Sequence, residues 1–242
     1  MRGLRLQLKA KAAICLAMLF SLAAGVALAG DSTEKLAGPA WIVDGGEAGE
    51  RFGYELATGD VNGDGYADVI AGAPYYTGDQ DEEGRLAVIC GSEHGLASAP
   101  TWIESGAAWA RFGWSVAAGD VNGDGFDDVI VGAPYYTGDR SQAGRVSVYF
   151  GSAQGLHAAP AWSIEGGEAH ALFGYAVAAA DVDGDGRTDL IAGAPYCTQG
   201  QHEEGCAYAF LSSEAGLATT PAWHAEGNQA DAHLGFALAG VG

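Results

Sequence analysis

Phe52-Gly53-Tyr54-Glu55-Leu56-Ala57-Thr58-Gly59-Asp60-Val61-Asn62-Gly63-Asp64-Gly65-Tyr66-Ala67-Asp68-Val69-Ile70-Ala71-Gly72-Ala73-Pro74 decides the fold. An alternating apolar run enters an acidic loop studded with glycine, and a short β-branched run leaves it and stops at Gly-Ala-Pro. That pattern reads as two strands joined by a loop of oxygen-bearing side chains. Further copies open at Phe112-Gly113-Trp114 and Phe173-Gly174-Tyr175, and a weaker one at Leu234-Gly235-Phe236, at steps of 60, 61 and 61 residues. The acidic loops begin at Asp60, Asp120 and Asp181, and Gly-Ala-Pro recurs at 72–74, 132–134 and 193–195. Gly-Leu at 95–96, 155–156 and 216–217, and Pro-x-Trp at 39–41, 100–102, 160–162 and 221–223, keep the same phase. So many features in fixed register mark a tandem repeat.

Each unit holds four strand-like runs. In the first copy these are residues 54–58, 68–71, 85–90 and 101–104, with Gly-rich turns between them and no helix-length amphipathic segment. A lone four-stranded antiparallel sheet cannot bury both of its faces, so the units must stack. The reading is an all-β chain, a β-propeller of four-stranded blades with a period of about sixty residues. Copies starting at Phe52, Phe112, Phe173 and Leu234 make about three and a half blades. Rings usually have about 4–8 blades, so the sequence is expected to be a piece of a longer ring. The other reading is a short chain that closes a ring with copies of itself. Pro39-Ala40-Trp41-Ile42 reads as an orphan last strand placed ahead of the first full copy.

The 242 residues carry 11 Lys and Arg against 31 Asp and Glu, a net charge of −20, with 48% hydrophobic residues and 39 glycines. A chain this apolar has material for a core, and one this acidic lacks the cations that a phosphate backbone or an anionic membrane would need. Residues 1–11 hold Arg2, Arg5, Lys9 and Lys11 and no acid, and an apolar run to Ala29 ends in Ala27-Leu28-Ala29. This predicts a signal peptide over 1–29, a short lead over 30–37 and repeats over 38–242, in an exported chain with no membrane insertion after cleavage. Loss of the four signal cations leaves 7 against 31, or −24.

The loops read Asp60-Val61-Asn62-Gly63-Asp64-Gly65-Tyr66-Ala67-Asp68, then Asp120 to Asp128, then Asp181 to Asp189. Oxygen side chains stand at positions 1, 3, 5 and 9, a backbone carbonyl is available at 7, and glycine at 6 permits a sharp turn. Calcium takes 6–8 such oxygens, whereas zinc would call for His or Cys, which no loop contains. An EF-hand would need Glu at position 12, where Ala71, Val131 and Ala192 stand. The competing reading is a set of Asx-type turns with merely solvated acids. Of the 17 aspartates, 11 lie in these three loops, and packing them without a cation would be repulsive.

Phe-Gly, the Asp/Asn/Asp loop and Gly-Ala-Pro at this period resemble the FG-GAP repeat, which builds the seven-bladed propeller head of integrin α subunits and occurs in many bacterial exported proteins. The resemblance covers residues 38–242 and implies about three bound Ca²⁺, one in each loop. The implied ligands are Asp60, Asn62, Asp64, Tyr66 (carbonyl) and Asp68; Asp120, Asn122, Asp124, Phe126 (carbonyl) and Asp128; and Asp181, Asp183, Asp185, Arg187 (carbonyl) and Asp189. Partner binding is implied on the opposite face. Seven blades at this period would need about 420 residues.

Cys197 and Cys206 occupy the positions of Tyr76 and Arg85 in the first copy, at either end of one turn, which suggests a disulfide across that hairpin. Cys90 reads as a buried thiol, and the Trp of each Pro-x-Trp as inter-blade packing in preference to a sugar platform. The loops 75–84, 135–144 and 196–205 differ in charge, as binding loops or as solvated tips do. The six His share no repeat position, and no catalytic constellation is found. The chain is thus expected to be a non-catalytic, exported, calcium-binding module that recognises an extracellular protein or glycan. The alternative is the propeller portion of a secreted hydrolase or phospholipase whose catalytic domain lies beyond residue 242.

Overall fold

The computed structural model of the chain describes residues 42–213 and 216–240. The predicted signal, the lead and Pro39-Ala40-Trp41 lie outside the described residues. Twelve strands and no helix are found among the described residues. They form three antiparallel sheets, each in plain up-and-down order. Blade one holds β1 (Leu56–Gly59), β2 (Asp68–Ala73), β3 (Arg85–Ile89) and β4 (Trp102–Ser105). Blade two holds β5 (Ser115–Gly119), β6 (Asp128–Ala133), β7 (Arg145–Tyr149) and β8 (Trp162–Glu165). Blade three holds β9 (Ala176–Ala180), β10 (Asp189–Ala194), β11 (Cys206–Phe210) and β12 (Trp223–Glu226). These are β-propeller blades. The first strand begins at Leu56 and not at Tyr54, because the Gly53 and Tyr54 N–H groups both turn onto the Gly72 carbonyl, at 2.9 and 3.1 Å.

Burial follows from stacking. One cluster joins Ile70, Leu86 and Val88 of blade one to Phe112, Val129 and Tyr149 of blade two. A second joins Ile130, Val146 and Val148 of blade two to Phe173, Leu190 and Phe210 of blade three. Each such side chain contributes about 1.5–3 kcal/mol by leaving water, so the core lies between blades. Trp102 stacks edge-on against Tyr149 at 5.3 Å, and Trp162 against Phe210 at 5.5 Å, each reaching into the following blade. Trp223, which no described blade follows, is 55% exposed. The same holds at the other end: Leu56 is 58% exposed where Val116 and Val177 are 6% and 8%.

The spacing of the two glycine motifs has a steric cause. A methyl group at Gly72 would collide with the carbonyl oxygen of Gly113, from the Phe-Gly of the next blade. Gly132 meets Gly174, and Gly193 meets Gly235, in the same way. Gly113 sits at φ +80°, a conformation that L side chains rarely adopt. The Phe-Gly of one blade therefore locks onto the Gly-Ala-Pro of the blade before it. Cys90 corrects the expectation of a buried thiol: it is half-buried and 3.1 Å from the Thr101 hydroxyl.

Candidate metal centre

The three acidic loops join the first two strands of their blades, so all open at the same end of the sheets. The register closes each hairpin with Gly59 opposite Asp68, Gly119 opposite Asp128 and Ala180 opposite Asp189. Position 1 organises the turn. The Asp60 carboxylate accepts the N–H groups of Gly63, Asp64 and Gly65 at 2.7–3.1 Å. Asp120 and Asp181 repeat this with the corresponding three donors. At position 3, Asn62, Asn122 and Asp183 each accept the N–H of position 5. Position 5 in turn accepts the N–H of Tyr66, Phe126 or Arg187.

Position 9 does something further. Asp68, Asp128 and Asp189 are fully buried. One oxygen of each accepts the N–H of position 2, at 3.1, 2.9 and 2.9 Å. The other accepts the N–H of Gly91, Gly151 or Ser212 at 2.8–2.9 Å, from the turn after the blade's third strand. A carboxylate in such a position ties the two loops at one end of the blade together. Burial pushes the Asp128 carboxyl up to about 7, against its two backbone hydrogen bonds and helped by the nearby Asp124 and Asp120. Burial raises Asp68 as well.

The third loop brings one ligand-capable oxygen each of Asp181, Asp183 and Asp189 within 4.8 Å of one another. Asp185 has one oxygen turned to the Arg187 guanidinium at 3.0 Å, so position 7 of this loop contributes a neutralising side chain besides its carbonyl. In loop two the Asn122 amide donates to Asp124 at 2.9 Å. These are hard oxygen donors without nitrogen or sulfur, a set suited to calcium. Each carboxylate oxygen has more than one lone-pair site, so accepting a backbone N–H leaves capacity for an ion.

Sequence reasoning overlooked position 8. The Asp60 N–H donates to the Asp127 carboxylate at 2.8 Å, and the Asp127 N–H returns to the Asp60 carbonyl at 3.0 Å. The Thr188 N–H likewise donates to the Asp120 carbonyl at 3.0 Å. Neighbouring loops are thus laced together. A polar residue at position 8 in copies two and three, against Ala67 in the first, was the signal available.

At the opposite end, the β2–β3, β6–β7 and β10–β11 connections meet the chain entering the next blade. One ring per blade forms a ladder there: Tyr54, Trp114, Tyr175 and Phe236 follow one another at centroid distances of 5.0, 5.3 and 4.8 Å. Arg111 lies between Tyr75 and Tyr135, 4.7 and 4.3 Å from their centroids. Cys197 and Cys206 are joined by a disulfide, with Cα atoms 5.7 Å apart.

The family model described as FG-GAP repeat matches residues 52–89, 112–149 and 173–201. The chain is an FG-GAP repeat protein. Phosphatidylinositol-glycan-specific phospholipase D of Bos taurus is 35% identical over 208 residues, and the alignment covers 79% of this chain and 25% of that protein. Integrin alpha-7 of Rattus norvegicus is 39% identical over 173 residues, covering 69% of this chain and 15% of that one. Integrin alpha pat-2 of Caenorhabditis briggsae is 39% identical over 166 residues, covering 60% and 13%. The FG-GAP chain therefore spans a quarter or less of the length of these relatives. Among its described residues, no helix is long and apolar enough to cross a membrane.

Proposed function

We propose that the chain is an exported propeller module in which each acidic loop holds one calcium ion, and that it serves extracellular protein recognition or adhesion without catalysis of its own. The observation that carries the reading is the convergence of Asp181, Asp183 and Asp189 within 4.8 Å, on a loop architecture that recurs in all three blades. The side chains of Asp60, Asn62, Asp64 and Asp68, their counterparts in loops two and three, and the carbonyls of Tyr66, Phe126 and Arg187 would hold the ions. The ion supplies charge compensation. The buried position-9 carboxylates and the ties through Asp127 and Thr188 transmit that order to the blade stack.

Recognition is assigned to the end opposite the calcium loops. Trp109 is 56% exposed there, beside connections whose charge changes from blade to blade. The cleavable-looking N-terminal segment and the Cys197–Cys206 bond support export. Calorimetric titration of the metal-stripped chain with calcium tests the ion reading: three equivalents are expected, with magnesium binding weaker. Fewer than one equivalent would sink it. A panel of immobilised extracellular proteins and glycans, probed with the calcium-loaded chain and its Trp109→Ala variant, tests the recognition reading. Binding to no member, or binding that Trp109→Ala leaves intact, counts against it.

A second reading has its own support. Similarity to phosphatidylinositol-glycan-specific phospholipase D over 79% of this chain favours the propeller portion of a secreted enzyme. A non-repeat domain with a catalytic constellation in the complete reading frame would decide for it.

A further inference from the structure

Blade three departs from its two predecessors at one corner. Where blades one and two place Asp81 and Ser141, blade three has His202, and where they place Glu82 and Gln142 it has Glu203. On the adjoining segment, Trp109 and His170 become Asp231, while Arg111 and Leu172 become His233. The backbone pairs these positions identically in every blade. Trp109, His170 and Asp231 donate to the carbonyls of Asp81, Ser141 and His202, while Arg111, Leu172 and His233 donate to those of Glu82, Gln142 and Glu203. In blade one the corner is held by charge, because Arg111 bonds Glu82 at 2.7 Å. The third repeat, residues 173–233, contains a single Lys or Arg, Arg187, which stands in the acidic loop at the other end of the blade. Its corner carries two carboxylates and two imidazoles instead.

From this juxtaposition we propose that His202, Glu203, Asp231 and His233 form a binding site for a divalent transition metal of the zinc class, distinct from the calcium loops. One ligand atom each of His202, Glu203 and Asp231 lies within 4.8 Å of the others. His202 Nδ1 is 3.0 Å from Asp231 Oδ1, and His233 Nε2 is 4.0 Å from Glu203 Oε2. Ligands about 2.0–2.1 Å from a tetrahedral ion stand about 3.3 Å apart, close to the 3.0 Å between His202 and Asp231, while His233 would have to turn inward from its 4.0 Å contact with Glu203 to complete the set. The ion replaces the proton shared between His202 and Asp231 and cancels both carboxylate charges.

Two features outside the four side chains point to a built site. His233 Nδ1 lies 3.1 Å from the Pro195 carbonyl, which can only accept, so Nδ1 is the donor there and Nε2 is the ring nitrogen turned toward Glu203. That is how an outer-shell partner orients a metal-binding imidazole. In addition, the Cys197–Cys206 bond closes the hairpin that carries His202 and Glu203, a bond that neither other blade has. Nitrogen donors separate this corner from the all-oxygen calcium loops and select zinc-class over alkaline-earth ions.

The test titrates zinc chloride into the full chain kept saturated with calcium. One saturable zinc equivalent is expected. His202→Ala and His233→Ala should each weaken it about tenfold or more, with the calcium-loaded melting temperature unchanged, while His224→Ala on β12 serves as an unaffected control. Cobalt(II) in place of zinc should give visible d–d bands that His233→Ala shifts and weakens. Absence of saturable zinc uptake by the wild type, or equal uptake by the His202→Ala/His233→Ala double variant, would overturn the proposal.

Discussion

The two ends of the blades behave differently along the chain. At the acidic-loop end, blades one, two and three repeat one hydrogen-bond scheme atom for atom: position 1 gathers three N–H groups and position 9 ties two turns. At the opposite end, the same backbone frame carries two chemistries. Arg85 stacks on Tyr76 at 4.2 Å and pairs with Glu50 at 2.6 Å. Arg145 stacks on Tyr136 at 3.6 Å and pairs with Glu165 at 2.7 Å. In blade three the Arg and Tyr positions are Cys206 and Cys197, bonded to each other. At one end the turn-closing hydrogen bonds of positions 1 and 9 repeat because their geometry serves the stack. The other end varies between two kinds of tie across the same hairpin, and that variation leaves room for recognition.

The largest effect should come from removing the calcium proposed for the acidic-loop end. A site filled at a hundred times its dissociation constant adds about 2.7 kcal/mol to folded-state stability, so three add about 8 kcal/mol. Exhaustive chelation is expected to lower the melting temperature by well over 10 °C, and calcium to restore it better than magnesium. A melting curve indifferent to chelator would break the comparison at its root, reducing the loops to solvated turns.

Next is the buried carboxylate. Asp128→Ala leaves the N–H groups of Val121 and Gly151 without their acceptor, and each such loss costs about 1–3 kcal/mol. A loss of about 3–4 kcal/mol is expected even without calcium. Asp124→Asn, at an exposed position proposed as a ligand, should cost little without calcium, where only the exposed Asn122 contact is disturbed, and more when calcium is present. The same carboxyl sets a pH dependence. Its pKa is about 7 in the metal-free fold against about 3.9 unfolded, so the native state binds more protons between those values. Stability of the chelated protein should therefore fall as pH rises from about 4 to 7 and level off above. Urea melts at pH 5 and pH 8 measure it, and Asp128→Asn should flatten the difference.

Much of this was legible in the sequence, for physical reasons that separate what was read from what was missed. Blade count, strand order and the loop positions are local and periodic, so three copies of Phe-Gly, acidic loop and Gly-Ala-Pro expose them. The meeting of Gly72 with Gly113 joins residues 41 apart across two blades, and no local pattern states it. Asp127 looked like surplus acid beside its ligands and proves to hold the preceding loop. Position 9 read as a ligand only, because its second task depends on a turn 23 residues further on. Cys197 and Cys206 stood out because two substitutions at aligned positions share one chemistry. The Tyr76–Arg85 pairing that they replace did not, since tyrosine and arginine carry no mutual signature in sequence.

The disulfide gives the third effect. Its separation of nine residues corresponds to about 2.6 kcal/mol of chain entropy removed from the unfolded state. Cys197→Ala with Cys206→Ala should lower stability by about that amount, and reductant should act on the wild type alone.

The smallest effect makes the most direct test of the comparison. Arg145 is a third exposed and so is Glu165, so screening limits their ion pair to under about 1 kcal/mol. The stack on Tyr136 adds about 0.5–2 kcal/mol. Arg145→Ala should then cost about 1–2 kcal/mol, less than loss of the disulfide, and the ion-pair share should shrink in high salt. If the two ties are interchangeable, Cys197→Tyr with Cys206→Arg should recover part of the stability that the double alanine variant loses, because Glu226 stands in blade three where Glu165 stands in blade two. The recovered part should be sensitive to salt and blind to reductant. Recovery of nothing would mean that the hairpin of blade three is shaped for the covalent bond, and that its corner is a specialised element of the repeat.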